Sequence, residues 1–258
     1  LTKRIRGGSG LGDSIYLRPL VEQLIADGEQ VTVCSNYPDV FIGTGATVEP
    51  FGRNNIQVLA HYTAGKSDPA TNQWQDICRS ARMTAELRFA WIVRNTALAD
   101  KLRTRAFGRK IILVHGGRAP MGRTDGFGAE LLPDAQAFDA VLRELGDCML
   151  VRIGNGAELY PLPTEINLNG STSVSDVLDV GRICDGVVAQ CSFAIPLAEA
   201  FDKPLLIVWA ARGLVAREAY VRQITPQKVL SKPSSTFVMD DWPMEQIQET
   251  ARQWHPGL

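Results

Sequence analysis

Charge of either sign is not in excess in this chain. Its 258 residues carry 27 basic and 28 acidic side chains, a net charge of −1. No global field draws it to nucleic acid or to a membrane surface; such a partner would need a local basic groove. Long apolar runs are lacking too, since none approaches the ~20 residues that span a bilayer. The opening residues are polar and basic, without the apolar core of a secretion signal. Histidine is scarce: His61, His115 and His255 are scattered, which argues against a metal site. The 5 cysteines, Cys34, Cys78, Cys148, Cys184 and Cys191, are odd in number and form no C-x-x-C pair. Cys34 and Cys148 sit in or beside apolar runs, as small buried thiols do, and a reducing cytoplasm is the simplest setting. Internal repeats and low-complexity segments are absent. The 5 tryptophans show no pattern suited to stacking on single-stranded nucleic acid.

What remains is ordinary globular material, 45% hydrophobic and 21% charged, enough for one large domain or two small ones. Leu17, Leu20, Val21, Leu24 and Ile25 fall on one helical face, which Gly28 terminates. "VTVCS" (31–35) reads as a short buried strand. "TKRIRGG" before the helix is a poor first strand, with Ile5 its only large apolar residue. Residues 36–72 read as loops with a weak strand near Ile56–Leu59, and a helical stretch is expected from Trp74 to Leu102. The second half is more regular. "KIILVHGG" (110–117), "CMLVRIGNG" (148–156), "DGVVAQ" (185–190) and "KPLLIVWA" (203–210) read as buried strands, two of them ending in glycine turns. Between them lie a helix from Pro133–Asp134, a Ser173/Asp176 capping box, and a short helix that Ser192 is placed to cap. Alternating β and α with buried strands argues an α/β fold with parallel sheets, whose ligands gather at the carboxyl ends of strands.

The opening turn poses a chemical question. Gly7, Gly12 and Ser14 match a P-loop, but Asp13 stands where the phosphate-binding lysine belongs. At ~4 Å a carboxylate would repel a phosphate charge by roughly 4 kcal/mol in an intermediate dielectric. The dinucleotide pattern G-x-G-x-x-G fails as well, and "VTVCS" lacks the terminal acid that would hold a ribose. Two readings of Asp13 stay open: a helix cap, or a carboxylate that takes a proton from an incoming hydroxyl. The glycines before it favour the second, because they let a ligand approach the backbone.

"GGSGLGDSIYLRP" (7–19) resembles the opening signature of glycosyltransferase family 9, the heptosyltransferase family. "ILVHGG", "VRIGNGAE" and the block from Asn167 to Trp209 resemble its later segments in the same order. The resemblance implies a GT-B-like α/β fold: two Rossmann-like halves with mainly parallel sheets and a cleft between them. It divides the chain into an acceptor-side half (1–107), a donor-binding half (108–240), and a final helix (241–258) packing back on the first half. It implies transfer of a sugar from a nucleotide-sugar donor to a hydroxyl, with Asp13 as general base. The donor would be held by Arg118, Arg123, Gly154, Asn155, Glu158, Ser192 and Phe193. Gly10, Gly12, His61 and Tyr62 would lie on the acceptor side. Where the family has D-[S/T]-G-x-x-H, this chain has Cys191, Ser192, Phe193 and Pro196, which leaves the Ser192 hydroxyl and a helix start for phosphate. No cofactor or metal is expected, because arginines and a helix dipole would neutralise the diphosphate. The acceptor is open: a saccharide, a lipid-linked saccharide, or a hydroxylated base in DNA. The last would use the arginines of residues 74–105 as a groove. The competing reading is a non-catalytic nucleotide- or sugar-binding module of the same fold.

Overall fold

The structure, a computed structural model, describes residues 2–52, 55–62, 70–116, 132–154, 162–211 and 225–254. The first half is built from Thr2–Arg6 (β1), Leu11–Ala26 (α1), Gln30–Cys34 (β2), Thr47–Glu49 (β3), Val58–Leu59 (β4) and Gln73–Ala81 (α2). A 3-10 turn over Pro38–Phe41 precedes β3. All pairings are parallel and the sheet order is β3-β2-β1-β4. The polar segment that looked unfit for a strand is therefore central to its sheet. Ile5 is fully buried, while Arg4 reaches Glu49 and Arg6 donates to the Gly52 carbonyl. Each arginine thus reaches across β2 to a partner in or just past β3.

The second half contains Thr96–Ala106 (α3), Ile111–His115 (β5), Ala135–Arg143 (α4), Met149–Arg152 (β6), Ile166–Asn167 (β7), Val174–Ile183 (α5), Gly186–Ala189 (β8), Ala194–Ala200 (α6) and Leu205–Trp209 (β9). It ends in Pro226–Val229 (α7), Ser235–Met239 (β10) and Met244–Trp254 (α8). Its parallel sheet has the order β10-β9-β8-β5-β6-β7. Helices cover both faces. Ile111 and Leu113 enter one apolar cluster, while Ile112 and Val114 enter another under α4 and α8. The first of these clusters continues into the first half through Ile5, Leu20 and Val33.

Three expectations are corrected here. The helix expected over Trp74–Leu102 is two helices joined by an extended segment, in which Leu87, Phe89 and Trp91 are buried and Arg88, Ala90 and Ile92 are exposed. That period of two is a strand-like pattern. The buried Arg18 guanidinium packs over the Phe89 and Trp91 rings. The division at residue 107 falls too late, because α3 packs on α5 and β5 and belongs to the second half. Asp179 of α5 fixes the crossing point, accepting from Trp91 Nε1 (2.6 Å) and from the N–H groups of Arg94 (3.1 Å) and Asn95 (2.7 Å). Among the described residues the last helix packs on α4 and β10 of the second half: Ile247 and Ala251 are buried there, and Arg252 meets Glu144 at 3.2 Å. The return to the first half is made by α7, whose Lys228 Nζ lies 2.7 Å from Asp76 of α2. No described helix is long and apolar enough to cross a membrane.

Candidate active site

In a parallel sheet, ligands gather where the strand order reverses. In the first half that point lies between β1 and β4, which end at Arg6 and Leu59. The chain leaves β1 through Gly7–Gly10 and enters α1. Asp13 is the third residue of that helix, and its Oδ2 accepts the Gly10 N–H at 3.0 Å. This is the returning half of a capping box, with glycine in place of the capping side chain. The other strand end supplies His61, whose Nε2 stands 3.7 Å from Asp13 Oδ1. Its backbone N–H donates to Ser80 Oγ at 2.9 Å, and its ring stacks on Tyr62 with centroids 4.3 Å apart. Two glycines make the arrangement possible. A Cβ on Gly8 would sit 2.4 Å from Asp13 Oδ2, and one on Gly12 would sit 3.2 Å from the Phe193 backbone of the other half. The glycines thus clear room for the carboxylate itself and for close approach of the two halves.

Asp13 is partly screened from water. Burial raises its carboxyl above the usual carboxylate range, although the Gly10 N–H and His61 both act to lower it. Burial lowers His61, Asp13 raises it, and Arg6 lowers it, with a net downward shift. The downward shift keeps the imidazole neutral at neutral pH, and the opposite shifts bring the two titrations closer together.

The second sheet reverses between β5 and β8. His115 ends β5, and its carbonyl accepts the Gln190 N–H just past β8 at 3.3 Å. A cavity of about 420 Å³ opens there. Leu11 and Tyr37 line it from the first half, and His115, Gly154, Thr172 and Phe193 from the second. Phe193 meets the His115 ring edge-on at 4.6 Å. His115 Nδ1 and Thr172 Oγ1 are buried and have no hydrogen-bond partner among the described residues. Burial, aided by nearby Arg152, lowers His115 to about 4, so it is neutral. A larger recess of about 650 Å³ lies beside α1 and the extended segment. Three of the charged side chains that line it are paired, Arg88 with Asp202 at 3.1 Å and Glu22 with Arg18 at 2.8 Å. The smaller cavity is the better candidate, because it sits at a switch point and offers unpartnered polar atoms.

The structure brings Asp13, Gly10, His61 and Tyr62 together at the first switch point, with Gly12 against Phe193; Phe193 and Gly154 line the cavity at the second. Ser192 is near, but its Oγ accepts the Ala194 N–H at 3.2 Å and closes the turn into α6. Arg118, Arg123, Asn155 and Glu158 lie outside the described residues. Arg79 of α2, Arg88 of the extended segment, and Arg103 and Arg105 of α3 pair with Asp76, Asp202, Asp100 and Glu165. Sequence reasoning missed Tyr37, Thr172 and the role of His115. Only His115 carried a signal, as the polar end of a buried strand before two glycines. Among the described residues, no three His, Cys, Asp or Glu side chains group to hold a metal ion.

The sequence matches no protein-family model and no curated protein. Solved structures do match. The ADP-heptose lps heptosyltransferase II of E. coli aligns with a TM-score of 0.65 at 12% identity, over 98% of each chain. The family 9 glycosyl transferase of Veillonella parvula aligns with a TM-score of 0.58 at 9% identity, over 97% of this chain and 89% of its own. The E. coli heptosyltransferase WaaC, solved with ADP, aligns with a TM-score of 0.51 at 10% identity, over 98% of this chain and 97% of its own. The likeness to family 9 first seen in the opening turn thus extends over the whole chain as architecture: the protein has the GT-B fold of these glycosyltransferases.

Proposed function

We propose that the protein is a glycosyltransferase that moves a sugar from a nucleotide-sugar donor to a hydroxyl acceptor, with Asp13 as general base. One observation carries this reading: a half-buried carboxylate stands at one switch point, both halves line a cavity at the other, and Gly12 beside the carboxylate meets Phe193 of the cavity wall. The cavity takes the nucleoside end of the donor. His115 Nδ1 and Thr172 Oγ1 offer hydrogen bonds, and Phe193 and Tyr37 offer aromatic surface. The diphosphate is neutralised by Arg118 and Arg123 without metal, and Glu158 and Asn155 contact the donor, roles that rest on the resemblance to family 9. The fold neighbours WaaC were solved with ADP and with ADP-2-deoxy-2-fluoro heptose, which supports a nucleotide-sugar donor. The five thiols form no disulfide, which supports work in the cytoplasm.

The step balances simply. The acceptor O–H bond breaks and its proton goes to Asp13 Oδ1. The oxygen attacks the anomeric carbon, and the bond to the donor phosphate breaks with its electron pair leaving on the nucleoside diphosphate. Oδ2 is held by the Gly10 N–H, so Oδ1 is the oxygen that receives the proton. The cap on Oδ2 also favours the competing reading, a binding module in which Asp13 only closes the helix. A thermal-shift screen of ADP, UDP, GDP and their sugars, followed by an assay for released nucleoside diphosphate, separates the two. Stabilisation with release supports the transferase; stabilisation without release supports the binder. No stabilisation by any nucleotide defeats the donor reading.

A further inference from the structure

The Asp13–His61 contact is not needed to cap α1, because Gly10 already satisfies that role through the other carboxylate oxygen. His61 comes from a different strand end, and three features hold it in place. The Ala60 N–H donates to the Arg6 carbonyl at 2.8 Å, the His61 N–H donates to Ser80, and the ring stacks on Tyr62. The imidazole is thus directed at the one carboxylate oxygen available to a proton. We propose that Asp13 and His61 form a proton-handling dyad, in which His61 takes up the proton that Asp13 draws from the acceptor hydroxyl. The inference rests on Asp13 being the base.

After transfer, Asp13 is a neutral carboxylic acid and His61 a neutral imidazole. The proton then moves from Asp13 Oδ1 to His61 Nε2. The carboxylate is restored and an imidazolium remains, which releases the proton to solvent once the products leave. The 3.7 Å separation is longer than a hydrogen bond, so the passage needs either one bridging water or an approach of about 0.5–1 Å. The charge of Arg6, at the end of β1, opposes protonation of the imidazole and so favours release of the proton. Among the described residues, Tyr16 on α1 also lies at this edge, its phenol raised well above the usual range by burial, and Tyr62 stacks on the His61 ring.

Two consequences distinguish a dyad from an isolated carboxylate beside a structural histidine. First, the two groups titrate as a pair. Second, an imidazolium formed before the reaction ties up the carboxylate in an ion pair. Activity therefore falls with acid as His61 takes up a proton, and the limb moves when His61 is replaced.

The test uses the full chain and needs no known acceptor. The imidazole resonances of the wild type and of Asp13→Asn are titrated by NMR, with His61→Gln assigning the His61 signal. In Asp13→Asn the His61 midpoint should fall by about half a unit or more, because the raising charge is gone. An unchanged midpoint overturns the dyad, and that result stands even if His61→Gln fails to fold, since Asp13→Asn alone carries it once the other two of the three signals are assigned by His115→Phe and His255→Gln. A second arm reads nucleoside diphosphate release against pH, using whichever nucleotide sugar stabilises the protein in the thermal screen. His61→Gln should move the acid limb of kcat/KM down by about one unit and lower kcat; a limb that stays in place overturns the proposal. The two readings fail separately. If Asp13→Asn keeps full turnover, the base assignment falls. If Asp13→Asn is impaired while His61→Gln matches wild type at every pH, only the dyad falls.

Discussion

The two edges that face the cleft are built by opposite means. The first-half edge is local. Gly8, Gly10, Gly12 and Asp13 lie within one turn and helix start, and the one long-range addition is His61. The second-half edge is assembled from four separate stretches, at His115, Gly154, Thr172 and Phe193. A local edge can be read from an octet of sequence, because its geometry follows from glycines and one cap. An assembled edge cannot, since each contributor is unremarkable until the sheet order places it. The difference also has an energetic side. The local edge spends no core packing on its carboxylate, whereas the assembled edge buries a neutral histidine and leaves a ring nitrogen without a partner among the described residues.

The sharpest way to break the local edge is Asp13→Asn. General-base catalysis contributes about 10²–10⁴ in rate, so release of nucleoside diphosphate should fall by that order. Asparagine caps about as well as aspartate, so the helix start survives. The raised carboxyl also gives a stability sign. Its folded value lies above its unfolded one, so the folded state favours the protonated form, and that preference is lost as pH rises through the folded value. At neutral pH the charged form is slightly unfavourable in the fold, and Asp13→Asn should melt at the same temperature or a little higher. A variant that melts markedly lower, or that keeps more than about a tenth of wild-type turnover, makes Asp13 a cap and nothing more.

Acid should break the assembled edge. His115 is lowered from 6.5 to about 4 by burial and by Arg152. The unfolded chain therefore binds more protons than the fold between those values. Stability is fully present above about 6.5 and is lost as pH falls toward 4, by roughly 3 kcal/mol in total. Denaturant midpoints measured from pH 7 to 4 should show this slope in the wild type and a flatter one in His115→Phe. Equal slopes would mean that His115 is not buried neutral.

Gly8→Ala tests whether the glycines serve the carboxylate. The added Cβ would lie 2.4 Å from Asp13 Oδ2, so the carboxylate must move while the backbone bears little strain. A misplacement of about 1 Å costs on the order of 10²-fold in rate. Turnover should drop by about that much, with nucleotide affinity and melting temperature nearly unchanged. Full activity in this variant would return the glycines to the role of clearing space for a ligand.

How much was legible follows from these edges. The α/β order, the buried strands of the second half, the Ser173/Asp176 capping box and the Asp134 helix start were readable, because each depends on neighbours within a few residues. Strand β1 was not, since its arginines look soluble until Glu49 and Gly52 come alongside. The extended segment carrying Phe89 and Trp91 mimics a helix in its alternation of apolar and basic residues, yet its burial runs with the period of two of an extended chain. The boundary and the last helix were misplaced for a common reason. Asp179 and Lys228 decide where the chain crosses between halves, and both act on residues more than 80 positions away.

The finest test lies at Thr172. Its Oγ1 is buried at the cavity and has no hydrogen-bond partner among the described residues. In the free protein such a hydroxyl carries a desolvation cost, so its isosteric replacement by an apolar side chain should be neutral or stabilising, by up to about 1 kcal/mol. In the complex the hydroxyl has a role only if the ligand supplies the missing partner. Thr172→Val should then weaken nucleotide binding by about fivefold, the worth of one hydrogen bond of roughly 1 kcal/mol. The two effects have opposite signs, and that makes the variant informative. A general disturbance of the α5 start would lower stability and affinity together. Calorimetric titration with the nucleoside diphosphate that stabilises the wild type most, alongside melting curves of both free proteins, reads both effects. Raised or equal stability with weaker binding places the ligand against Thr172. Equal affinity moves the nucleotide elsewhere in the cleft and leaves the hydroxyl as a feature of the empty cavity alone.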